Sequence, residues 1–430
     1  MNNHTSFLYN LAKNRLFKIN RSLTGNGNKE TLKIFKKIET NLKIKSFKST
    51  QKVYNWEIPK EWNVKKAYVI DKFKKKIIDF NNNNLHLVGY SIPIRKKIRR
   101  DKLIAHLHTL KNQPDVIPYV TSYYKSYWGF CVSDYEKDNI IKKYNKNDFF
   151  EVCIDSNFNK NGRMHYAEYY IKGKSKKEIL ISTYICHPQM ANNELSGPII
   201  SMSLINFFKK KNNNYSIRFL FIPETIGSIA YIHKNIKKLK KNVIAGYNLT
   251  CLGDTKNYSC IFSKYNNTIS DKVLKETYKE LNIKYNEYSF NEIRSDERQY
   301  NSYGIDLPIA TVTRSLYGKY KEYHTSDDNF EYISLKGINE SMYLLKKVLL
   351  NIDKSIIPIT KTFCEPKLGK KNLYPKISDK SINVFSKRIL NFLQYSDGKN
   401  NLFHISKKIK VNNDEINKIY KILLKNNLIY

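Results

Sequence analysis

The pattern of apolar and polar positions between residues 150 and 350 alternates between strand-like and helix-like segments. Four short runs are almost entirely apolar, as expected of strands that are covered on both faces. They are KEILISTYI (177–185), YSIRFLFI (215–222), NVIAGYNLTCL (242–252) and DLPIATVTR (306–314). Between these runs, apolar residues recur three and four positions apart, as helices require. The alternation predicts an α/β fold with a mostly parallel sheet flanked by helices.

The region before this alternation has a different pattern. Residues 29–44 carry apolar positions at helical spacing, whereas the stretch from about 46 to 130 consists of short β-rich pieces separated by turn residues. We therefore predict a small β domain over 46–130. It is inserted into a larger α/β core that is formed by residues 1–45 and 131–356.

The last part of the chain predicts a third unit. A linker over 357–377 is followed by a helix, an Asp-Gly turn, a short helix around Leu402–Ile409 and a helix opened by Asn412 or Asn413. This order is typical of a winged-helix domain, which we predict over 378–430.

Composition limits the class of protein. The chain has 430 residues, of which 41% are hydrophobic, so two or three globular domains are expected. The formal net charge of +38 is spread along the whole chain, which favours genome bias over an evolved surface for nucleic acid or anionic glycan. The six cysteines form no C-x-x-C pair, which argues against a disulfide framework. Neither a signal peptide nor a membrane-spanning stretch is visible, so we expect a cytoplasmic protein.

Polar side chains follow several of the predicted strands. His187, Glu224 and Asp254 come after the first three apolar runs, and His324 lies in a loop after the fourth. Ligands of open α/β sheets bind at the carboxyl ends of the strands. Two imidazoles and several carboxylates at that edge suit a zinc hydrolase with a carboxylate as general base. A single histidine at a strand end is also compatible with a purely structural, hydrogen-bonded role.

The order of the polar segments resembles the zinc aminopeptidase superfamily with the M28-type fold. More closely, the chain is similar to an aminopeptidase-like family often encoded beside polysaccharide-biosynthesis genes, with an inserted β domain and a C-terminal winged helix. The motifs that carry the resemblance are SLTGNGNKET (22–31), IPKEW (58–62), HLHTLKNQPDVIPYVTSYYKSYWGFC (106–131), CHPQMANNELSG (186–197), IPETIGSIAY (222–231), RSDERQY (294–300) and EYHTSDD (322–328).

The resemblance implies that His187 and His324 bind metal and that Glu224 is the general base. Three metal-binding carboxylates of the superfamily are replaced here, by Asn193, Thr225 and Thr250. A complete site for two metals is therefore not expected.

We expect one Zn²⁺ instead, with a single oxygen donor completing the two histidines. The candidates for that donor are Asn193, Glu194 and Asp254. A carboxylate is the better zinc ligand of the two oxygen types.

Other side chains are candidates for substrate binding. Arg294 and Arg298 suit a carboxylate, and Asp296 and Glu297 suit an amino terminus or a sugar hydroxyl. Alternatively, these four pair with each other, because Arg–carboxylate forks are common in structural loops. Tyr124 lies in an aromatic-rich stretch that suits stacking on a sugar ring or, alternatively, core packing.

The predicted function is metal-dependent hydrolysis of an amide bond, in a peptide N-terminus or an N-acylated amino sugar, in surface polysaccharide biosynthesis. One alternative is a catalytically impaired binding or scaffold protein of glycan assembly. A second is a nucleic-acid-binding regulator, which Asp414 and Glu415 at the start of the presumed recognition helix disfavour. We expect the winged helix to dock a protein partner, and the chain to be able to form a homo-oligomer.

Overall fold

The computed structural model describes residues 3–292, 295–374 and 384–430. The strands, in chain order, are β1 Lys43–Lys48, β2 Lys52–Val53, β3 Trp56–Glu57, β4 Glu61–Ile70, β5 Lys76–Asp79, β6 Ile94–Arg99, β7 Leu107–His108, β8 Phe130–Cys131, β9 Phe149–Asn159, β10 Arg163–Ile171, β11 Ser175–Tyr184, β12 Tyr215–Ile222, β13 Val243–Leu249, β14 Ser259–Ile261, β15 Asn286–Tyr288 and β16 Ile309–Thr313. The α-helices are α1 Asn3–Asn14, α2 Asn26–Ile38, α3 Arg100–Ile104, α4 Asp134–Lys143, α5 Ser196–Phe208, α6 Ile226–Asn242, α7 Ile269–Glu280, α8 Asp296–Tyr300, α9 Leu335–Lys354, α10 Val384–Gln394, α11 Leu402–Ile409 and α12 Asn413–Lys425.

A large sheet of eight strands forms the centre of the molecule, in the order β1-β10-β12-β11-β13-β16-β14-β15. The four apolar runs of the sequence form its middle strands, and these are mutually parallel. Side chains of β11 alternate between two cores: Ile179 and Ile181 enter one, and Leu180 enters the other. Burial on both faces explains why these strands lack a polar face. The predicted mixed α/β fold with a large sheet is confirmed.

The two faces of the large sheet are covered differently. Helices α1, α2, α5, α7 and α9 contribute to the core on one face. Helix α6 and a second, four-stranded sheet contribute to the core on the other face. That second sheet has the order β5-β4-β9-β6 and is antiparallel throughout.

The small sheet does not coincide with the range 46–130. Its strand β9 comes from residues 149–159 and pairs along the whole of β4. Strand β1 (43–48), just before that range, pairs with β10 in the large sheet. The two sheets share a hydrophobic core, so the boundary between them is not marked by a change in the hydrophobic pattern of the sequence. The proposed domain limits stay a prediction.

Three helix ends are set by local contacts. Helix α2 ends at Ile38, earlier than the helical pattern over 29–44 indicates, because the chain then turns into β1. The side chain of Ser334 caps α9. Helix α7 is capped by Thr268, and the hydroxyl of Ser270 donates to the carbonyl of Pro308.

The C-terminal unit has the expected three helices, α10 to α12, around its own small core. Asn412 caps α12 through its side chain. Thr360, from the predicted linker, pairs with Ile429 near the chain end. Among the helices of the described ranges, none is long and apolar enough to cross a membrane.

Candidate metal centre

Three predicted residues meet at the carboxyl edge of the large sheet. His187 and Glu224 follow the parallel neighbours β11 and β12, so both emerge at the same edge. The distance from His187 Nε2 to Glu224 Oε2 is 3.5 Å. His324 arrives from the loop after β16, and its ring centroid lies 5.2 Å from that of His187. The two imidazole rings therefore lie close together, and one of them faces a carboxylate.

The ring of His187 is oriented from behind by a buried carboxylate. Nδ1 of His187 lies 3.0 Å from Glu194 Oε2, which leaves Nε2 directed toward Glu224. Arg21 holds this arrangement: its Nε donates to the carbonyl of His187 and lies 3.4 Å from Glu194 Oε1. A carboxylate on the far nitrogen is the usual means of fixing the tautomer of a metal-binding histidine. Glu194 therefore contacts Nδ1 of His187, whereas Glu224 is the carboxylate beside Nε2.

A group of potential metal ligands lies beside Nδ1 of His187, on the side of the ring that faces Glu194. Cys186 Sγ, a nitrogen of His187 and an oxygen of Glu194 lie within 4.8 Å of one another, close enough to hold a metal ion. The guanidinium of Arg21 already neutralises Glu194 there. Burial raises the pKa of the Cys186 thiol to about 11, against the opposing effect of His187. This side of the imidazole is therefore less suited to a cation than the Nε2 side.

The two histidines have opposite electrostatic environments. Burial lowers the pKa of His187, but the contacts with Cys186 and Glu194 outweigh it and leave the pKa well above the usual value. Burial and the neighbouring His187 hold the pKa of His324 well below the usual value. Nε2 of His324 is buried and has no hydrogen-bond partner among the described residues. A neutral imidazole with a free nitrogen is the form that binds metal.

Glu224 is held by the loop that follows β15. Ser295 Oγ donates to Glu224 Oε1 over 2.5 Å, and Oε2 faces His187. Burial raises the pKa of Glu224, against the opposing effects of His187 and Ser295. A carboxylate with a raised pKa can both accept and return a proton near neutral pH.

Asp296, the first residue of helix α8, lies near Glu224 and contacts the start of helix α6. Its Oδ1 accepts from the Thr225 amide at 2.7 Å and from Ser228 Oγ at 2.8 Å. Its Oδ2 is buried without a partner among the described residues. Burial, with a contribution from Glu224, raises its pKa to about 8.

Neutral side chains occupy the positions where the superfamily carries metal-binding carboxylates. Oδ1 of Asn193 is buried, and no described residue forms a hydrogen bond with it. Thr250 Oγ1 donates to the carbonyl of Asn193 and accepts from Tyr184 at 2.5 Å. The backbone of Asn193 is fixed by Asp328, which accepts from its amide. Between them, the side chains of Asn193 and Thr250 offer one oxygen that is not already engaged in the described structure, and none of the three replacing residues is a carboxylate.

The third candidate donor lies elsewhere in a saturated network. Asp254 accepts from Asn192 Nδ2, from the amide and hydroxyl of Ser315, and from the Lys256 amide. Both of its oxygens are therefore already engaged in holding loops together.

Of the five predicted substrate contacts the structure describes four, and three of these are engaged in other hydrogen bonds. The carboxylate of Glu297 is taken by Tyr317, Ser295, Asn248 and Thr311. Arg298 is exposed and donates to the carbonyl of Asn291. Tyr124 is exposed and its hydroxyl donates to the carbonyl of Glu57. Arg294 lies outside the described residues. Of the four described candidates, only Asp296 adjoins Glu224.

Three residues that contact the two histidines or Glu194 were not among the predicted site residues: Tyr119, Tyr323 and Arg21. Tyr119 packs edge-on against both His187 and His324, at 5.4 and 5.1 Å between centroids. Tyr323 stacks on His324 at 3.9 Å. Tyr119 was visible in the aromatic-rich stretch but could not be distinguished from Tyr124. Arg21 precedes a recognised motif by one residue, and nothing local marks it as a partner of Glu194.

Backbone strain accumulates around this edge. Positive φ values occur at Gln189 (40°), Thr225 (59°), Cys251 (51°) and His324 (57°). Such conformations are costly for residues other than glycine, most of all for β-branched Thr225. They lie next to the groups that converge on the site, as is common for functional sites.

The unengaged donor atoms supply only part of a zinc coordination shell and suit a single ion better than two. Among the described residues, the buried Nε2 of His324 and Oδ1 of Asn193 have no hydrogen-bond partner, and the ring of His324 lies 5.2 Å from that of His187. Zinc is normally held by three or four such groups at about 2 Å. A second ion would need the carboxylates that Asn193, Thr225 and Thr250 replace.

Comparison with known proteins defines the class first. The fold is similar to a zinc aminopeptidase from Bacillus subtilis, with a TM-score of 0.60 at 11% identity over 82% of this chain and 95% of that one. It is also similar to a peptidase M28 precursor from Shewanella amazonensis, with a TM-score of 0.54 at 10% identity over 82% and 96%. The protein thus has the zinc-aminopeptidase fold, as the resemblance implies.

The family follows from closer matches. Residues 9–355 match the domain of unknown function DUF4910, and residues 356–430 match a winged helix-turn-helix model. The chain belongs to the DUF4910 family. A Clostridium acetobutylicum protein, named for polysaccharide biosynthesis and an aminopeptidase-like domain, is 40% identical over 93% of this chain and 91% of its own. A crystal structure named as a peptidase from the same organism has a TM-score of 0.79 at 37% identity, over 99% and 96%. The recognised family and the winged helix are confirmed.

Proposed function

We propose that this protein is a metal-dependent amide hydrolase with one Zn²⁺ held by His187 and His324. The observation that carries the proposal is the free Nε2 of His324 beside a second imidazole whose Nε2 faces Glu224. A zinc ion bound there would supply Lewis acidity, which polarises a carbonyl and lowers the pKa of a bound water to about 7. Asn193 is the proposed oxygen donor, since Glu194 and Asp254 are engaged elsewhere.

In this proposal Glu224 moves the proton. Its Oε2 takes a proton from the attacking water and returns it to the departing nitrogen, while Ser295 holds the other oxygen in place. The raised pKa of Glu224 suits both transfers. Glu194 and Arg21 keep His187 oriented, and Tyr119 shields the two imidazoles from water.

The substrate class remains the one predicted from the sequence, an amide at a peptide N-terminus or on an N-acylated amino sugar. The name of the Clostridium relative supports a role in polysaccharide biosynthesis. Substrate contacts of Arg294 and Arg298, the cytoplasmic location and a homo-oligomer stay predictions.

Metal analysis combined with one isosteric variant tests the proposal. Wild-type protein should retain one zinc per chain, and a panel of aminoacyl anilides and N-acetylated amino sugars should reveal chelator-sensitive hydrolysis. Glu224→Gln should keep the metal and lose about 10²- to 10⁴-fold in rate, the range typical of a general base. His324→Ala should lose the metal.

Glu280→Gln is the matched control, because Glu280 lies on the surface in a pair with Lys347. It should leave both metal content and rate unchanged. A wild-type protein that holds no zinc and hydrolyses nothing on the panel contradicts the proposal and favours a scaffold of glycan assembly.

The winged helix is proposed to dock a protein. Helix α12 begins with Asp414 and Glu415, and Glu415 is paired with Arg388 of α10. Negative charge at the start of a recognition helix disfavours contacts with phosphates. Tight, salt-sensitive DNA binding in a filter assay would contradict this assignment.

A further inference from the structure

An apolar groove with exposed aromatic rings lies apart from the metal centre. The tip of the β2–β3 hairpin contributes Tyr54 and Trp56, and the loop after α8 contributes Tyr303. These side chains are 56%, 43% and 98% exposed, although large aromatic residues normally bury most of their surface. The groove measures about 300 Å³, at the lower end of the range for small-molecule sites. We call it the hairpin groove.

The groove has a firm floor and one fixed wall. Ile229 and Ile232 of helix α6 form the floor and are themselves buried. The ring of Tyr54 is held perpendicular to His233 of the same helix, with the ring centroids 4.9 Å apart. A held ring can offer its face to a ligand with little loss of conformational entropy.

The polar part of the lining is uncharged. Its members are Asn55, Gln299 and Ser302, and among the residues that the structure describes no Lys, Arg, Asp or Glu lines this groove. This is unusual in a chain with 76 Lys and Arg and 38 Asp and Glu. Nucleic acids and anionic glycans are held largely by cationic side chains, so neither suits this lining. Protein interfaces also commonly enrich arginine, which is absent from this lining.

We propose that the hairpin groove binds a neutral oligosaccharide. A pyranose ring combines an apolar face of C–H groups, which packs on aromatic rings, with neutral hydroxyls, which bond to amide and hydroxyl side chains. The lining offers both kinds of group above a floor of aliphatic side chains. The inference rests on binding geometry alone and does not require the metal centre to be catalytic.

The groove is connected to the metal centre by a short helix. Ser295, which holds Glu224, precedes α8, and Gln299 and Ser302 lie at its end. A glycan held in the groove would thus be anchored near the proposed reaction site. The name of the Clostridium relative, which refers to polysaccharide biosynthesis, agrees with such a ligand.

Intrinsic fluorescence gives a direct test. The chain has three tryptophans, of which Trp62 is buried and Trp56 is exposed in the groove. The full-length protein is titrated with maltohexaose, cellohexaose and N-acetylchitohexaose. At least one should give a saturable change in emission that Trp56→Phe abolishes. Calorimetry with the same sugar should show about tenfold or more weaker binding for Tyr303→Ala, given what one stacked ring contributes.

Tyr343→Ala is the matched control, because Tyr343 is 52% exposed on helix α9, outside the groove. It should bind the sugar as the wild type does. Binding should also be unchanged between low and high salt, because no charges take part. The proposal is overturned by a lack of saturable binding to all three sugars, by equal weakening in both tyrosine variants, or by binding that salt abolishes. A Tyr303-dependent self-association without sugar binding would overturn it as well.

Discussion

Two buried clusters of ionisable residues on the same sheet differ in whether their polar atoms have hydrogen-bond partners. In the middle of the sheet, Arg218 forms a two-bond fork with Glu178 at 2.8 and 3.0 Å and a further contact with Glu168 at 3.3 Å. Glu168 also accepts from Tyr231 and pairs with Lys45. At the sheet edge, by contrast, His324 Nε2 and Asp296 Oδ2 are buried and find no partner in the part of the chain that the structure describes.

The pKa values follow the same division. Burial raises the pKa of Glu168, but Lys45, Tyr231 and Arg218 outweigh it, so the net pKa is lowered. At the edge, burial dominates for Glu224 and Asp296, and both pKa values are raised. The comparison teaches that a satisfied cluster maintains the fold, whereas buried polar atoms without protein partners beside strained backbone mark the candidate site.

The largest expected effect comes from the satisfied cluster. Arg218→Met leaves Glu168 and Glu178 buried without their main cation, and removal of one partner from a buried ion pair costs about 3–5 kcal/mol. The free energy of unfolding, measured in urea, should fall by that amount. Arg163→Met, at an exposed arginine that donates to Ser46, should change it by less than ~0.5 kcal/mol. A loss below ~1 kcal/mol for Arg218→Met would remove the distinction between the clusters.

An intermediate effect is expected from Asp296. Its pKa is about 8 in the folded protein and close to 4 when unfolded, so between these values the native state binds more protons. Stability should therefore fall as pH rises from 5 to 8, by roughly 1–4 kcal/mol from this group. In Asp296→Asn, which keeps the acceptor for Thr225 and Ser228, this part of the slope should disappear. An unchanged slope in urea titrations at several pH values would show that Asp296 is ionised throughout.

The smallest effect concerns strain at the edge. Thr225→Gly should stabilise the protein by about 1 kcal/mol, because glycine adopts a φ of 59° without steric cost. Thr277→Gly, inside helix α7, should instead destabilise it by at least ~1 kcal/mol. If thermal unfolding shows both variants to be destabilised alike, the conformation of Thr225 is not strained.

The meeting of His187, Glu224 and His324 could be predicted because parallel strands bring their carboxyl ends together, whatever the sequence separation. The partners of each group could not. Glu194 looks like a ligand until Arg21, 173 positions earlier in the chain, is found beside it. Asp254 looks equally suitable, yet Ser315 and Asn192 occupy its oxygens. Hydrogen-bond saturation is a property of tertiary contacts and leaves no local pattern.

The extent of the small sheet could not be read from the sequence for a related reason. Strand β9 alternates in burial like any half-covered strand, so its pattern does not reveal which of the two sheets it joins. Tyr119 and Tyr124 likewise share one aromatic stretch, and only the turn between them decides which ring reaches the imidazoles.

One carboxylate ties two loops of the metal centre into a single unit. Asp328 accepts from the main-chain amides of Ala191, Asn192 and Asn193, and it lies four residues beyond His324. A swing of the His324 loop must therefore either carry the 191–193 turn with it or expose three amides at once. The movements of these two loops are therefore coupled, and a ligand that displaces one of them also acts on the other.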